Sequence, residues 1–114
     1  MQPSFQPQNP LTQVVFVHDY IQLVFDTATI SMYNAIELDG PSGSLSQGRE
    51  GFADALVGLI GQQTSIKGAE EGCALVLLFS SWSLRVLRRD SGNPGPEAFM
   101  AHTDDGQILV EMNE

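Results

Sequence analysis

Basic residues, histidine and cysteine are all scarce in this chain, and each shortage narrows what it can be. Five Lys and Arg stand against fourteen Asp and Glu in 114 residues, a formal charge of −9. Binding nucleic acid or anionic lipid means neutralising phosphates with cations. Three of the five cations cluster at Arg85, Arg88 and Arg89 and are expected to sit near acids, so neither nucleic acid nor a membrane surface is an expected partner. A basic protein would be steered toward such a chain, although the same charge also serves solubility alone. The single cysteine, Cys73, excludes an intrachain disulfide and a thiolate metal cluster. Between Gly72 and Ala74 at the head of an apolar stretch, it reads as a small buried hydrophobe, with no local cation or histidine to activate it. No apolar run approaches the roughly 18 residues that span a bilayer. The opening MQPSFQPQNP has neither the charged nor the apolar region of a signal peptide, which makes the cytoplasm the expected compartment.

What the chain does have is a repeat. Shifted by 54 positions, Leu75, Leu77, Phe79, Leu84 and Val86 fall on Ile21, Leu23, Phe25, Ile30 and Met32. Each copy alternates apolar residues up to a Phe, reverses, and alternates again, the pattern of a β-hairpin used twice. The spacing places two-residue loops at Thr27-Ala28 and Ser81-Trp82, with each Phe opposite the apolar residue five later. The expected core is Leu23, Phe25, Ile30, Leu56, Leu59, Leu77, Phe79 and Leu84.

Around the repeat, residues 1–12 read as an irregular arm and 13–114 as one domain, ample for a single core. Gln13–Phe25 is long for one strand and is expected to bend or bulge at His18-Asp19. Thr29–Glu37 is the return strand, and Leu38–Glu50, rich in Gly and Ser, a long loop. Phe52, Ala55, Leu56, Leu59 and Ile60 recur at helical spacing over Gly51–Gly61, with Gly61 as the C-terminal cap. Gly58 within that helix points to close approach of a strand. Gln62–Gly68 reads as a strand, followed by a turn at Ala69–Gly72. Asp90–Pro96 is a further loop. Glu97–His102 and Gln107–Met112 form a last hairpin about Asp105-Gly106. The expected fold is α+β: an antiparallel sheet of about six strands, two repeated hairpins plus a C-terminal one, with one short helix packed on one face.

Asp19-Tyr20 before an alternating strand (Ile21–Phe25), Gly58 and Gly61 around a short helix, Leu75–Phe79, Glu97-Ala98-Phe99 and Asp105-Gly106 follow one another in an order that resembles a family of small bacterial β-rich domains of unassigned role. Two positions depart from that pattern: Thr-Ala stands where the family has Asp-Gly in the first hairpin, and Phe99 replaces a Trp. Domains of this kind occur among immunity proteins of bacterial toxin systems, and the resemblance implies that role as one possibility.

Catalytic signatures are sparse. There is no GxxxxGK[ST], no GxGxxG after a strand, and no GxSxG around Ser42. His18, Asp19 and His102 form a ligand-binding or hydrolytic set only if the first and last hairpins meet, and their spacing matches no metal motif. Glu70-Glu71 and Asp104-Asp105 lie in turns, where water keeps carboxylates ordinary. Glu97, in an apolar setting, wants Arg85, Arg88 or Arg89 as a structural partner. Trp82 at a hairpin tip is either an exposed binding anchor or a lid on the core. No cofactor, metal or catalytic residue is expected. The leading expectation is a non-enzymatic interaction protein, concretely an immunity protein that occludes a basic toxin. Trp82, Val76 and Leu78 would be its anchor, and Glu70, Glu71, Asp104 and Asp105 its steering rim. The alternative is a homo-oligomeric structural or regulatory module, with the doubly apolar second hairpin pairing with its own copy.

Overall fold

A computed structural model describes residues 9–18, 20–41, 43–88, 97–103, 106 and 108–112. Among them ten strands and one helix follow in the order β1 (Leu11–Val17), β2 (Tyr20–Phe25), β3 (Ala28–Met32), β4 (Ile36–Gly40), β5 (Gly43–Ser46), α1 (Phe52–Val57), β6 (Ser65–Glu70), β7 (Cys73–Leu78), β8 (Ser83–Leu87), β9 (Glu97–Thr103) and β10 (Ile108–Met112). The strands form two five-stranded antiparallel sheets, ordered β1-β2-β3-β9-β10 and β5-β4-β8-β7-β6.

The order hides a duplication. Each half of the chain lays a three-stranded meander in one sheet and sends the following hairpin into the other, so β1 to β5 correspond to β6 to β10. The register repeats as well. Leu23 faces Ile30 and Ile21 faces Met32, as Leu77 faces Leu84 and Leu75 faces Val86. Outside these, Ile30 and Met32 face Ala101 and Phe99, as Leu84 and Val86 face Leu38 and Ile36. The inward residues of both sheets meet in one core, which α1 joins through Phe52, Leu56 and Leu59. All eight residues expected in the core are buried.

The chain passes between sheets at Tyr33–Ala35. There the N–H groups of Tyr33 and Asn34 donate to Ala98 O in β9, at 2.9 and 3.2 Å. The buried Asn34 side chain donates Nδ2–H to Leu87 O in β8 (2.9 Å), and Leu87 N–H donates to Ala35 O (2.9 Å). One short segment thus satisfies backbone groups of both sheets at the point where neither ladder continues.

Several sequence expectations give way. The sheet of about six strands is two sheets with ten, so the fold is mostly β rather than a sheet with a helix laid on it. The expected bend or bulge at His18-Asp19 gives way to two strands, β1 and β2, which pair antiparallel along their length from Val17 and Tyr20 onward. β1 starts at Leu11, inside the expected arm. The return strand ends at Met32, and Ile36–Gly40 pairs in the other sheet. Most of the expected loop 38–50 is the β4–β5 hairpin, where cross-strand packing of Leu38 on Leu45 overrides a Gly/Ser composition. The repeated hairpins turn one residue earlier than the spacing indicated, at Asp26-Thr27 and Ser80-Ser81. Phe25 faces Ala28, and Phe79 N–H donates to Trp82 O (2.8 Å). The pairing moves by two residues, so every side chain keeps its face.

The helix stops at Val57 with Gly58 as its cap, and the chain continues in single turns to Gly61. Among the described residues only the carbonyls of Asp54 and Ala55 lie close to a Cβ at Gly58, and no described strand approaches there. Gly61 does take a left-handed conformation (φ 96°), and its N–H donates to Leu11 O (2.7 Å) while Leu11 N–H donates to Gln62 O (3.0 Å). The β6–β7 turn is Glu71-Gly72. The last hairpin is present as β9 and β10; the Asp104-Asp105 tip and the 90–96 loop lie outside the described residues.

Leu23 and Leu77 hold equivalent, fully buried places in the two sheets. Replacing either by Ala is expected to cost about 2–5 kcal/mol, measured from urea unfolding midpoints. A loss under about 0.5 kcal/mol at either position is incompatible with the registers given above.

Candidate interaction surface

Trp82 follows the β7–β8 tip, and the tip is fixed. Gln62 Oε1 accepts from Ser80 N–H (3.2 Å) and from Ser80 Oγ–H (2.9 Å), tying it to the segment after α1. The Trp82 indole is half-buried against the core and lies flat over Gly40, where a Cβ would come within 2.5 Å of Cε3 and Cζ3. In the other half of the molecule the matching pair is Ala28 opposite Thr103. Large over small in one sheet thus replaces small over medium in the other. Of the two readings of Trp82, its position is that of a lid.

The remaining anchor residues separate. Val76 is buried and faces Arg85 across the ladder, so it offers a partner no surface; Leu78 is 41% exposed. The second hairpin is therefore covered on much of both faces. Arg85 lies between two acids of β4: its guanidinium pairs with Glu37, and Nε sits 2.9 Å from Asp39 Oδ2 as a charge contact rather than an aligned hydrogen bond. That engages one of the cations expected for Glu97, whose side chain is outside the described residues. Glu70 and Glu71 are exposed at the β6–β7 turn, and Glu70 pairs with Lys67. These acids stand at the opposite end of β7 from Leu78. Asp104 and Asp105 lie outside the described residues.

The histidines do not meet. His102 faces Thr29, Thr29 faces Val24, and Val24 faces Gln13, five residues before His18. Three strand spacings and five residues of rise separate them by on the order of 20 Å. Asp19 is not described. Among the described residues no group of three His, Cys, Asp or Glu is placed to hold a metal, and no helix is long and apolar enough to cross a membrane.

Cys73 is buried, as expected. Burial raises its thiol pKa above 9.0, the charges of Glu70 and Asp39 add to the rise, and Arg88 opposes it.

The apolar surface that sequence reasoning missed lies on β1 and α1. Of six exposed large apolar side chains among the described residues, Phe16 and Val17 belong to β1, Val57 to α1 and Ile60 to the turns that follow α1, and β1 and α1 touch. A groove of about 330 Å³ opens between them, lined by Phe16, Val17, Ile21 and Phe52 with Gln47 and Arg49. The turn carrying Arg49 is held by Gln47, whose N–H donates to Ile36 O (3.0 Å) and whose Oε1 accepts from Ile36 N–H (2.9 Å). Left-handed glycines, Gly48 and Gly51, bracket it. The run VVFV carries the apolar signal in the sequence, but its exposure follows from β1 being an edge, which no local pattern states. Comparison of the chain with family models, curated proteins and solved structures returned no significant match.

Gly40→Ala is expected to destabilise the protein by about 1–3 kcal/mol by driving a methyl into the indole. In a Trp82→Ala background the same change should cost much less, because the two sites are in contact. Equal costs in both backgrounds would rule out the stacking. Cys73 in the folded protein should react with a thiol reagent at pH 8 far more slowly than in denaturing urea; equal rates would show that the thiol is not buried. Its raised pKa also fixes a sign. Below pH 9 both states hold the proton and the contribution to stability is complete. Above pH 9 the unfolded thiol ionises first, so stability declines as pH rises toward the folded value. The urea midpoint should therefore fall more steeply from pH 8 to 10 in the wild type than in Cys73→Ala.

Proposed function

We propose that this chain is a non-enzymatic interaction protein that engages a basic protein partner, in the manner of an immunity protein occluding a toxin. The observation carrying the reading is how charge is distributed over the fold. Arg85 is engaged by Glu37 and Asp39 and Lys67 by Glu70, while Asp26, Glu50, Asp54 and Glu71 stand exposed. A chain of net charge −9 with Lys67 and Arg85 tied to its own acids projects a negative field over roughly a Debye length, about 8 Å in physiological salt. Such a field accelerates encounter with a basic surface and contributes little to the lifetime of the complex. Leu78 is the exposed member of the anchor set, and desolvating it would act on dissociation.

Affinity capture from the native host, followed by stopped-flow kinetics with the purified partner, tests this. Glu70→Gln with Glu71→Gln should slow association and flatten its salt dependence, with the off-rate nearly unchanged. Asp104→Asn with Asp105→Asn should act in the same direction, and Leu78→Ala should speed dissociation. Association indifferent to both salt and the acid substitutions would sink the steering mechanism, and recovery of no basic partner would remove the function itself.

A further inference from the structure

Two five-stranded sheets have four edges, and three of them are guarded. β5 is four residues long, β6 carries Lys67 and Glu70 and two irregularities in register, and β10 has an irregularity in register at its end. Short length, charge and bulges are the usual means by which an edge is kept from pairing with another chain. β1, LTQVVFV, has no charge and no proline. Its first residue, Leu11, is occupied on both backbone groups by Gly61 and Gln62, and its one irregularity lies between Leu11 and Gln13. Gln13–Val17 is therefore the unguarded part of the edge, with Val15 at its midpoint. This uncharged strand belongs to a chain of net charge −9, so it is a stretch that a second, equally acidic copy can approach without meeting a carboxylate on the strand itself.

We propose that the chain forms a symmetric dimer in which β1 pairs antiparallel with β1 of a second copy, centred on Val15. A two-fold axis there gives the longest overlap that the free edge allows, and it places Gln13 opposite Val17 of the second copy. On the core-facing side, each Phe16, 50% exposed in the single chain, comes to lie against Val14 of the other copy, itself only half-buried. The strand is thus self-complementary, bulky against small, as an isologous contact requires. Val57 on the adjoining α1 and Ile60 in the turns after it enlarge the apolar surface around the new ladder. The two sheets would join into one of ten strands. This surface is on the other sheet from Glu70 and Leu78 of the proposed partner site, so either result stands without the other.

The test is sedimentation velocity over a wide concentration range, with the circular dichroism spectrum as a check on folding. The wild type should approach twice the 12.4 kDa chain mass as concentration rises. Val15→Lys, which sets two ammonium groups face to face at the axis, should remain a monomer. Ile108→Lys, at an exposed position on β10 at the far edge of the same sheet, should still dimerise. Cross-linking reads the register directly. Opposed residues of an antiparallel pair have Cα atoms about 4.5–5.5 Å apart, within disulfide range. Under mild oxidation Val15→Cys should cross-link to itself, Gln13→Cys alone should not, and a mixture of Gln13→Cys with Val17→Cys should. A wild type that stays monomeric at every concentration overturns the proposal. So does a dimer that survives Val15→Lys, or one in which Gln13→Cys links to itself and Val15→Cys does not.

Discussion

Neither half of this chain can bury its own apolar face. Each meander, β1-β2-β3 or β6-β7-β8, presents a row of large aliphatic and aromatic residues inward, and each is completed at its side by a hairpin from the other half. The exchange depends on the crossing at Tyr33–Ala35. A chain leaving one sheet for another abandons two hydrogen-bond ladders at once, and an orphaned buried carbonyl or N–H costs about 1–3 kcal/mol. Asn34 resolves this by bonding β9 through its backbone and β8 through its side chain. A buried asparagine is tolerated there because it is satisfied on both sides.

The duplication leaves the two sheets with the same registers and different surfaces. In one, Gln22 donates Nε2–H to Ser31 Oγ at the place where the other sets Val76 beside Arg85. In one, Ala28 faces Thr103; in the other, Trp82 covers Gly40. The inward positions cannot diverge far, because each side chain packs against residues of both halves. Outward and terminal positions answer only to their own neighbours and to solvent, and there the halves have become distinct. The ends of β1 and β6, the first strands of the two meanders, show the same freedom: β1 ends in exposed Phe16 and Val17, β6 in Ala69 and Glu70.

Charge follows a parallel division. Within the β4–β8 ladder, Glu37 and Asp39 flank Arg85 across strands, a structural use of opposite signs on half-buried side chains. Glu50, Asp54 and Glu71 stand exposed to water instead. Because water screens these exposed groups, their effect on folding is small and their collective effect is on encounter with other molecules.

By itself the sequence determined which residues form the core, that a hairpin occurs twice with the same faces inward, that a short helix lies between the copies, and that Cys73 is buried. All of these rest on local periodicity, since alternation in strands and the helical spacing of Phe52, Leu56 and Leu59 are set by neighbours in the chain. The tertiary structure alone decided which strands pair and on which sheet. Leu38–Gly40 and Gly43–Ser46 read as loop because Gly, Ser and Asp have low strand propensity, and they are strand because Leu38 pairs with Leu84 of β8 and Leu45 with Leu38. The anchor set was divided for the same reason: Val76 and Leu78 share a strand face, but only the ladder neighbours make one buried and leave the other open. Whether β1 lies at an edge, and so whether Phe16 is core or surface, depends on partners more than 50 residues away in sequence, which no window along the chain contains.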